Sequence, residues 1–145
     1  MTAATLDTVT PTVTTRLEPH RLPAPGRGRF VVTIDIPAGC HIQSHAPSEP
    51  FLIPTTLELD EVTGVVFDPP VFPPPDTVRF DWSPVKLDVY RGRVHIVVGV
   101  ALTPSVSTVT IVGRLRYQAC TESACFPPEE LSVAARLGVE PSPTI

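Results

Sequence analysis

Proline does most to limit what this chain can fold into. There are 19 prolines among 145 residues, spread between short apolar runs instead of gathered in one tract. A proline inside a helix removes a backbone donor and clashes with the preceding turn, so the prolines punctuate strands. The densest stretch, 69–75, has five prolines in seven residues; it excludes helix and reads as an exposed extended loop. An apolar content of 42% argues against a disordered polymer, and the length suits one domain with a sizeable core.

Between the prolines the sequence alternates. Phe30, Val32, Ile34 and Ile36 oppose Val31, Thr33 and Asp35, which predicts a strand over Arg29–Ile36. Thr108–Tyr117 repeats the pattern, with Val109, Ile111, Leu115 and Tyr117 on one face. Arg93–Leu102 is nearly continuously apolar and predicts a central strand covered on both faces. With Val85–Tyr90 and the Arg91-Gly92 turn it reads as a hairpin. Shorter strands are expected at Val13–Leu17, Phe51–Leu59 (with Pro54 marking an edge or bulge), Thr63–Phe67 and Leu131–Leu137. Leu22–Gly28 reads as a loop and Cys40–Pro50 as a partly extended connector. Glu129–Leu137 is the one short stretch where a helix competes. Eight or nine short strands predict an all-β fold, an immunoglobulin-like antiparallel β-sandwich, though without the Cys…Trp…Cys spacing of antibody domains. The domain is expected over 13–138, between flexible tails at 1–12 and 139–145.

The charge pattern removes several functions. Net charge is −4 and no cluster of Lys and Arg stands out, so nucleic acid is not an expected partner. No apolar run approaches the roughly 18 residues of a membrane helix, so direct membrane insertion is not expected. Met1–Asp7 lacks the basic and apolar regions of a signal peptide. The chain is then either cytosolic or a segment of a longer exported protein. No Ser/His/Asp arrangement, phosphate-binding glycine loop or carboxylate pair is present.

Chemistry concentrates in Tyr117–Glu130, which holds two of the three cysteines, Cys120 and Cys125. A strand, a four-residue connection and a second strand would set them opposite each other at a separation a disulfide tolerates. Closing six residues constrains the unfolded chain by only about 2 kcal/mol, which tilts the reading toward a reactive dithiol while leaving a structural staple open. A zinc half-site would need Cys40, His41 or His45 as further ligands; no metal is expected.

The flanks add a resemblance. Tyr117-Gln118-Ala119-Cys120…Cys125-Phe126-Pro127-Pro128-Glu129 resembles the Tyr-Gln-x-Cys…Cys-Tyr-Pro-Pro-Glu signature of the N-terminal domain of DsbD, the thiol:disulfide interchange protein. Gly39–Ser44 with Phe51–Thr55 resembles a second segment common in such domains. The resemblance covers roughly residues 15–138. It implies an extracytoplasmic immunoglobulin-like domain without cofactor that relays reducing equivalents between thioredoxin-fold proteins. Cys120 and Cys125 would be the redox pair, with Cys125 attacking the partner's disulfide.

The chain departs from that family in having four residues between the cysteines, where the best-known member has five, and in having Cys40 where an aromatic is usual. Thiol–disulfide exchange needs an accessible sulfur, a thiolate and a resolving neighbour. Arg114 and Arg116 would favour thiolate, and Glu122, Glu129 and Glu130 would oppose it. Tyr117, Phe126, Phe80 and Trp82 are candidates for shielding the pair or receiving a partner. For Tyr117, Phe80 and Trp82 ordinary packing competes with that role. His41 is expected to serve as a hydrogen-bonding element near Cys40, and Cys40 to be buried and inert.

Overall fold

The computed structural model describes residues 10–140 apart from Ser105 and Ser107. Among them twelve strands follow in order: β1 (Thr12–Glu18), β2 (Arg21–Pro23), β3 (Gly26–Asp35), β4 (His41–Gln43), β5 (Thr56–Leu59), β6 (Val65–Phe67), β7 (Asp76–Val78), β8 (Leu87–Tyr90), β9 (Arg93–Leu102), β10 (Val109–Tyr117), β11 (Ala119–Cys120) and β12 (Glu129–Glu140). They make three four-stranded sheets, ordered β1-β3-β9-β6, β2-β12-β10-β5 and β11-β4-β8-β7. The architecture is an immunoglobulin-like β-sandwich. Its pairs are antiparallel except β2 with β12, which run parallel.

The first two sheets enclose the main core. Register puts Phe30 opposite Val98 and Val32 opposite Ile96, so the alternating residues of β3 and β9 share one buried face. From the second sheet Val109, Ile111, Leu115, Tyr117, Val133 and Leu137 join the same cluster. Gly113 continues that inward phase at a place where no side chain fits: a Cβ there would sit 2.4 Å from the Glu58 carbonyl oxygen on β5. Strand β9 is central between β3 and β6. Only one of its faces is sealed, by Ile96, Val98, Val100 and Leu102, while its other face stays partly open.

The third sheet carries a core on each side. Ile42 pairs with Tyr90 and Ala119 with Ile42, and all three join the main core. Because side chains alternate, Leu87 and Val89 face away from it, forming a second small cluster with Leu52, Val78 and Phe80.

Several elements differ from the sequence expectations. Val85–Tyr90 and Arg93–Leu102 do not form a hairpin: β8 pairs with β4 and β7, and β9 with β3 and β6. Gly92, at φ 70°, turns the chain from one sheet to another, and its carbonyl accepts from Ile36 N at 2.8 Å. The expected loop at Leu22–Gly28 is largely strand, because Gly26 lets β3 pass close to the Pro23 carbonyl. Phe51–Leu59 is strand only from Thr56, since Pro54 interrupts the ladder. Glu129–Leu137 is strand throughout, locked to β10 with Leu115 opposite Leu131 and Val109 opposite Leu137. Of the expected tails, residues 1–9 and 141–145 lie outside the described residues, while Thr12 opens β1 and Val139 and Glu140 close β12.

Candidate functional site

The cysteine pair sits where the chain changes sheets. Strand β10 ends at Tyr117 in the second sheet, and two residues later Ala119–Cys120 pairs with β4 in the third. Gln118 bridges the step: its Nε2 donates to the Phe126 carbonyl at 3.2 Å, and its Oε1 accepts from Ile53 N at 3.4 Å. Beyond Cys120 the chain reverses tightly. Thr121 N donates to the Ala124 carbonyl at 2.7 Å, and Thr121 Oγ1 accepts from Ser123 N and Ala124 N. Phe126 N returns to the Ala119 carbonyl at 2.9 Å. The reversal sets Cys120 and Cys125 opposite each other with Cα atoms 4.0 Å apart, joined by a disulfide.

The two sulfurs have unlike surroundings. Cys120 is 0% exposed, held by its ladder to β4, whereas Cys125 is exposed on the turn. Register places Cys120 directly across from His41, on the outer face of the third sheet. Gln43, two residues on and on the same face, directs Nε2 to Cys120 Sγ at 3.7 Å. The disulfide therefore borders the small second core.

An aromatic stack covers this face. The Phe80 ring lies on His41 with centroids 4.5 Å apart, and Trp82 lies on Phe80 at 5.5 Å. Ser83 steadies the loop, its N donating to the Phe80 carbonyl and its Oγ to the Val85 carbonyl. Phe80 is half-buried and packs on the second cluster, while Trp82 keeps 47% of its surface exposed. Between this loop and the cysteine turn runs a groove of about 370 Å³, with Arg79, Asp81 and Arg91 on one side and Glu122 and Ser123 on the other.

Tyr117 is a core residue, 1% exposed, and burial, helped by the Glu129 charge, pushes its phenol up. With Phe126, Pro127, Leu131 and Pro11 it lines a mainly apolar cavity of about 320 Å³ beside the turn. Phe126 is half-buried there.

Of the charges singled out in the sequence, Glu122 lines the groove, but the two arginines do not. Arg114 is committed to Asp60 at 2.9 Å, and that hydrogen bond raises its pKa. Arg114 and Arg116 alternate with the inward residues of β10, so both point away from the core. Arg91 lines the groove and acts on His41. Burial, with Arg91 second, lowers the His41 pKa to about 4, so the imidazole is neutral at physiological pH. Cys40 is buried and outside the disulfide, and desolvation raises its pKa.

Sequence reasoning placed His41 near Cys40 and did not single out Gln43. The signal for both was the polar–apolar–polar order His41-Ile42-Gln43, which puts two polar side chains on one face of a strand.

Fold and site together define an immunoglobulin-like sandwich bearing a short-range disulfide between one buried and one exposed cysteine. Residues 11–136 match the family described as the N-terminal domain of thiol:disulfide interchange protein DsbD, and the chain belongs to that family. Among solved structures it is similar to the N-terminal periplasmic domain of ScsB from Proteus mirabilis, at 16% identity and a TM-score of 0.58. That match covers 94% of this chain and 50% of the other, so this chain spans half the ScsB structure's length. It is also similar to the Neisseria meningitidis DsbD N-terminal domain in the reduced form, at 18% identity and a TM-score of 0.52, covering 75% of this chain and 78% of that one. Both likenesses concern the fold. No curated protein matches the chain.

Proposed function

We propose that this chain, over residues 13–138, is a thiol–disulfide exchange module that relays reducing equivalents between thioredoxin-fold proteins through Cys120 and Cys125. The observation that carries the reading is the asymmetry of the pair, with Cys125 exposed and Cys120 at 0% exposure. A donor thiolate attacks Cys125 Sγ, the bond between the two cysteines breaks, and Cys120 leaves as a thiolate that takes up a proton. The donor's second thiolate then attacks the donor sulfur of the mixed disulfide and frees Cys125. In the forward half, the Cys125 thiolate attacks the acceptor's disulfide. Cys120, as thiolate, resolves that mixed disulfide and restores the internal bond, so two electrons move through the module per cycle.

The Trp82–Phe80–His41 stack shields the pair, and Phe126 with the exposed ring of Trp82 offers apolar surface to the partner. The compartment is extracytoplasmic, where disulfides persist. No helix among the described residues is long and apolar enough to cross a membrane, and the module acts as a protein-disulfide reductase domain without cofactor.

Trapping tests the roles. Cys120→Ser leaves an exposed Cys125 with no resolving thiol and should accumulate mixed disulfides with thioredoxin-fold proteins, while Cys125→Ser should not. Equal trapping by both variants would overturn the assignment. A reduction potential below about −300 mV for the pair would mark a structural bridge and sink the relay itself.

A further inference from the structure

Burying a polar atom without a partner is costly, and most native side chains avoid it. Among the described residues three buried side-chain atoms have no hydrogen-bond partner: His41 Nε2, Gln43 Oε1 and Ser44 Oγ. They are not scattered. All belong to β4 and the residue after it, the strand that pairs with Cys120. Gln43 is the sharpest case. It is 0% exposed, its Nε2 reaches only the disulfide sulfur at 3.7 Å, a weak acceptor, and its Oε1 reaches nothing.

We propose that the Gln43 carboxamide is built for the opened disulfide and stabilises the Cys120 sulfur as it leaves. The inference rests on the exchange chemistry above. When an incoming thiolate bonds to Cys125 Sγ, the electron pair of the broken bond stays on Cys120. That thiolate forms on a residue with no exposed surface in the disulfide form, and the Nε2 donor already aimed at it makes a charge-assisted hydrogen bond. Once a proton from solvent converts the thiolate to a thiol, a half-turn of the carboxamide offers Oε1 to the new S–H donor. One side chain thus has an atom suited to each reduced form of Cys120, a donor for the thiolate and an acceptor for the thiol. The titratable and charged groups around Cys120 are His41 across the ladder and Arg79, Arg91, Asp81 and Glu122 at the groove.

Gln43→Met keeps the volume and removes both polar atoms. It should slow reduction of the disulfide by dithiothreitol about tenfold, the weight of one hydrogen bond to a charged group. The dithiol–disulfide equilibrium should move by a similar factor toward the disulfide, about 30 mV. In a Cys125→Ser background the thiolate absorbance of Cys120 should emerge at higher pH with Gln43→Met than without it, a change that packing alone would not produce.

If Gln43→Met does not fold, the unmutated protein still decides. The Gln43 side-chain amide signals in a nitrogen–proton correlation spectrum should shift between disulfide and dithiol and then titrate with the Cys120 thiol. A wild-type disulfide that resists thioredoxin-range reductants would refute the exchange reading and this inference with it. A wild type that exchanges normally, with Gln43→Met matching its rate, equilibrium and pH profile or with unmoved amide signals, would refute the role of Gln43 alone.

Discussion

Replacing His41 with Phe should flatten the acid limb of this domain's stability. The imidazole is 2% exposed, stacked beneath Phe80 and held neutral down to about pH 4. The unfolded chain protonates the same ring near 6.5. Between those values the unfolded state binds more protons, so stability falls as pH drops. It is full above about 6.5, falls through the interval and levels off below the folded pKa. A depression of some 2.5 units at 1.36 kcal/mol each gives about 2 kcal/mol lost by pH 5 and about 3 by pH 4.

Phe preserves the aromatic contact with Phe80 and carries no titration. Urea melts of the oxidised proteins from pH 7.5 to 4 measure the difference, because every other titrating group is common to both and cancels. With urea slopes of about 1–3 kcal/mol/M for small domains, the wild-type midpoint should fall by roughly 1 M more than the variant's by pH 5. Arg91→Gln should recover only the smaller part of the loss, since burial outweighs the Arg91 charge. Wild type and His41→Phe running parallel across the range would refute the buried neutral histidine.

Two further outcomes test the frame around the site. Gly113→Ala would drive a methyl to 2.4 Å from the Glu58 carbonyl and 2.6 Å from Leu59 Cδ2, prising β5 from β10. A loss of about 1–3 kcal/mol in thermal unfolding is expected, and an unchanged melting temperature would mean that the strands do not approach this closely. Cys40, buried with its thiol pushed up, should resist iodoacetamide at neutral pH in the native protein and react once unfolded; rapid native labelling would contradict its burial.

The long strands were legible in the sequence, from alternation or from a nearly continuous apolar run. Arg93–Leu102 is β9 to the residue, and Thr108–Tyr117 misses β10 by one. What alternation cannot report is sheet membership. Val85–Tyr90, Arg91-Gly92 and Arg93–Leu102 carry every local mark of a hairpin, yet the strands separate into two sheets because each finds its partners elsewhere in the chain. The site divides in the same way. Cys120 and Cys125 are five residues apart and could be paired from spacing and flanking residues. Gln43 lies 77 residues from the sulfur it approaches, and only the β4–β11 ladder brings it there. Arg114 and Arg116 looked apt for a thiolate by nearness along the chain, but a strand sends alternate side chains to opposite faces.

The position of the disulfide would let it open, as the proposed exchange requires, without endangering the fold. Its ring is short, so its loss returns only about 2 kcal/mol of entropy to the unfolded chain. Most of the main core comes from β3, β9, β10 and β12, whose ladders to one another do not include the cysteine turn. Cys120 is meanwhile retained by its pairing with His41 and by the Ala119 contact with the core, so its sulfur stays in place when the bond to Cys125 breaks. Cys125 sits on the far side of a reversal held by Thr121 and by the Phe126-to-Ala119 hydrogen bond. The turn therefore keeps the two thiols within reach of each other after reduction. A bridge meant chiefly to stabilise would join distant parts of the chain, where loop closure contributes more. This one contributes little to stability by loop closure, which is what the proposed exchange role would need.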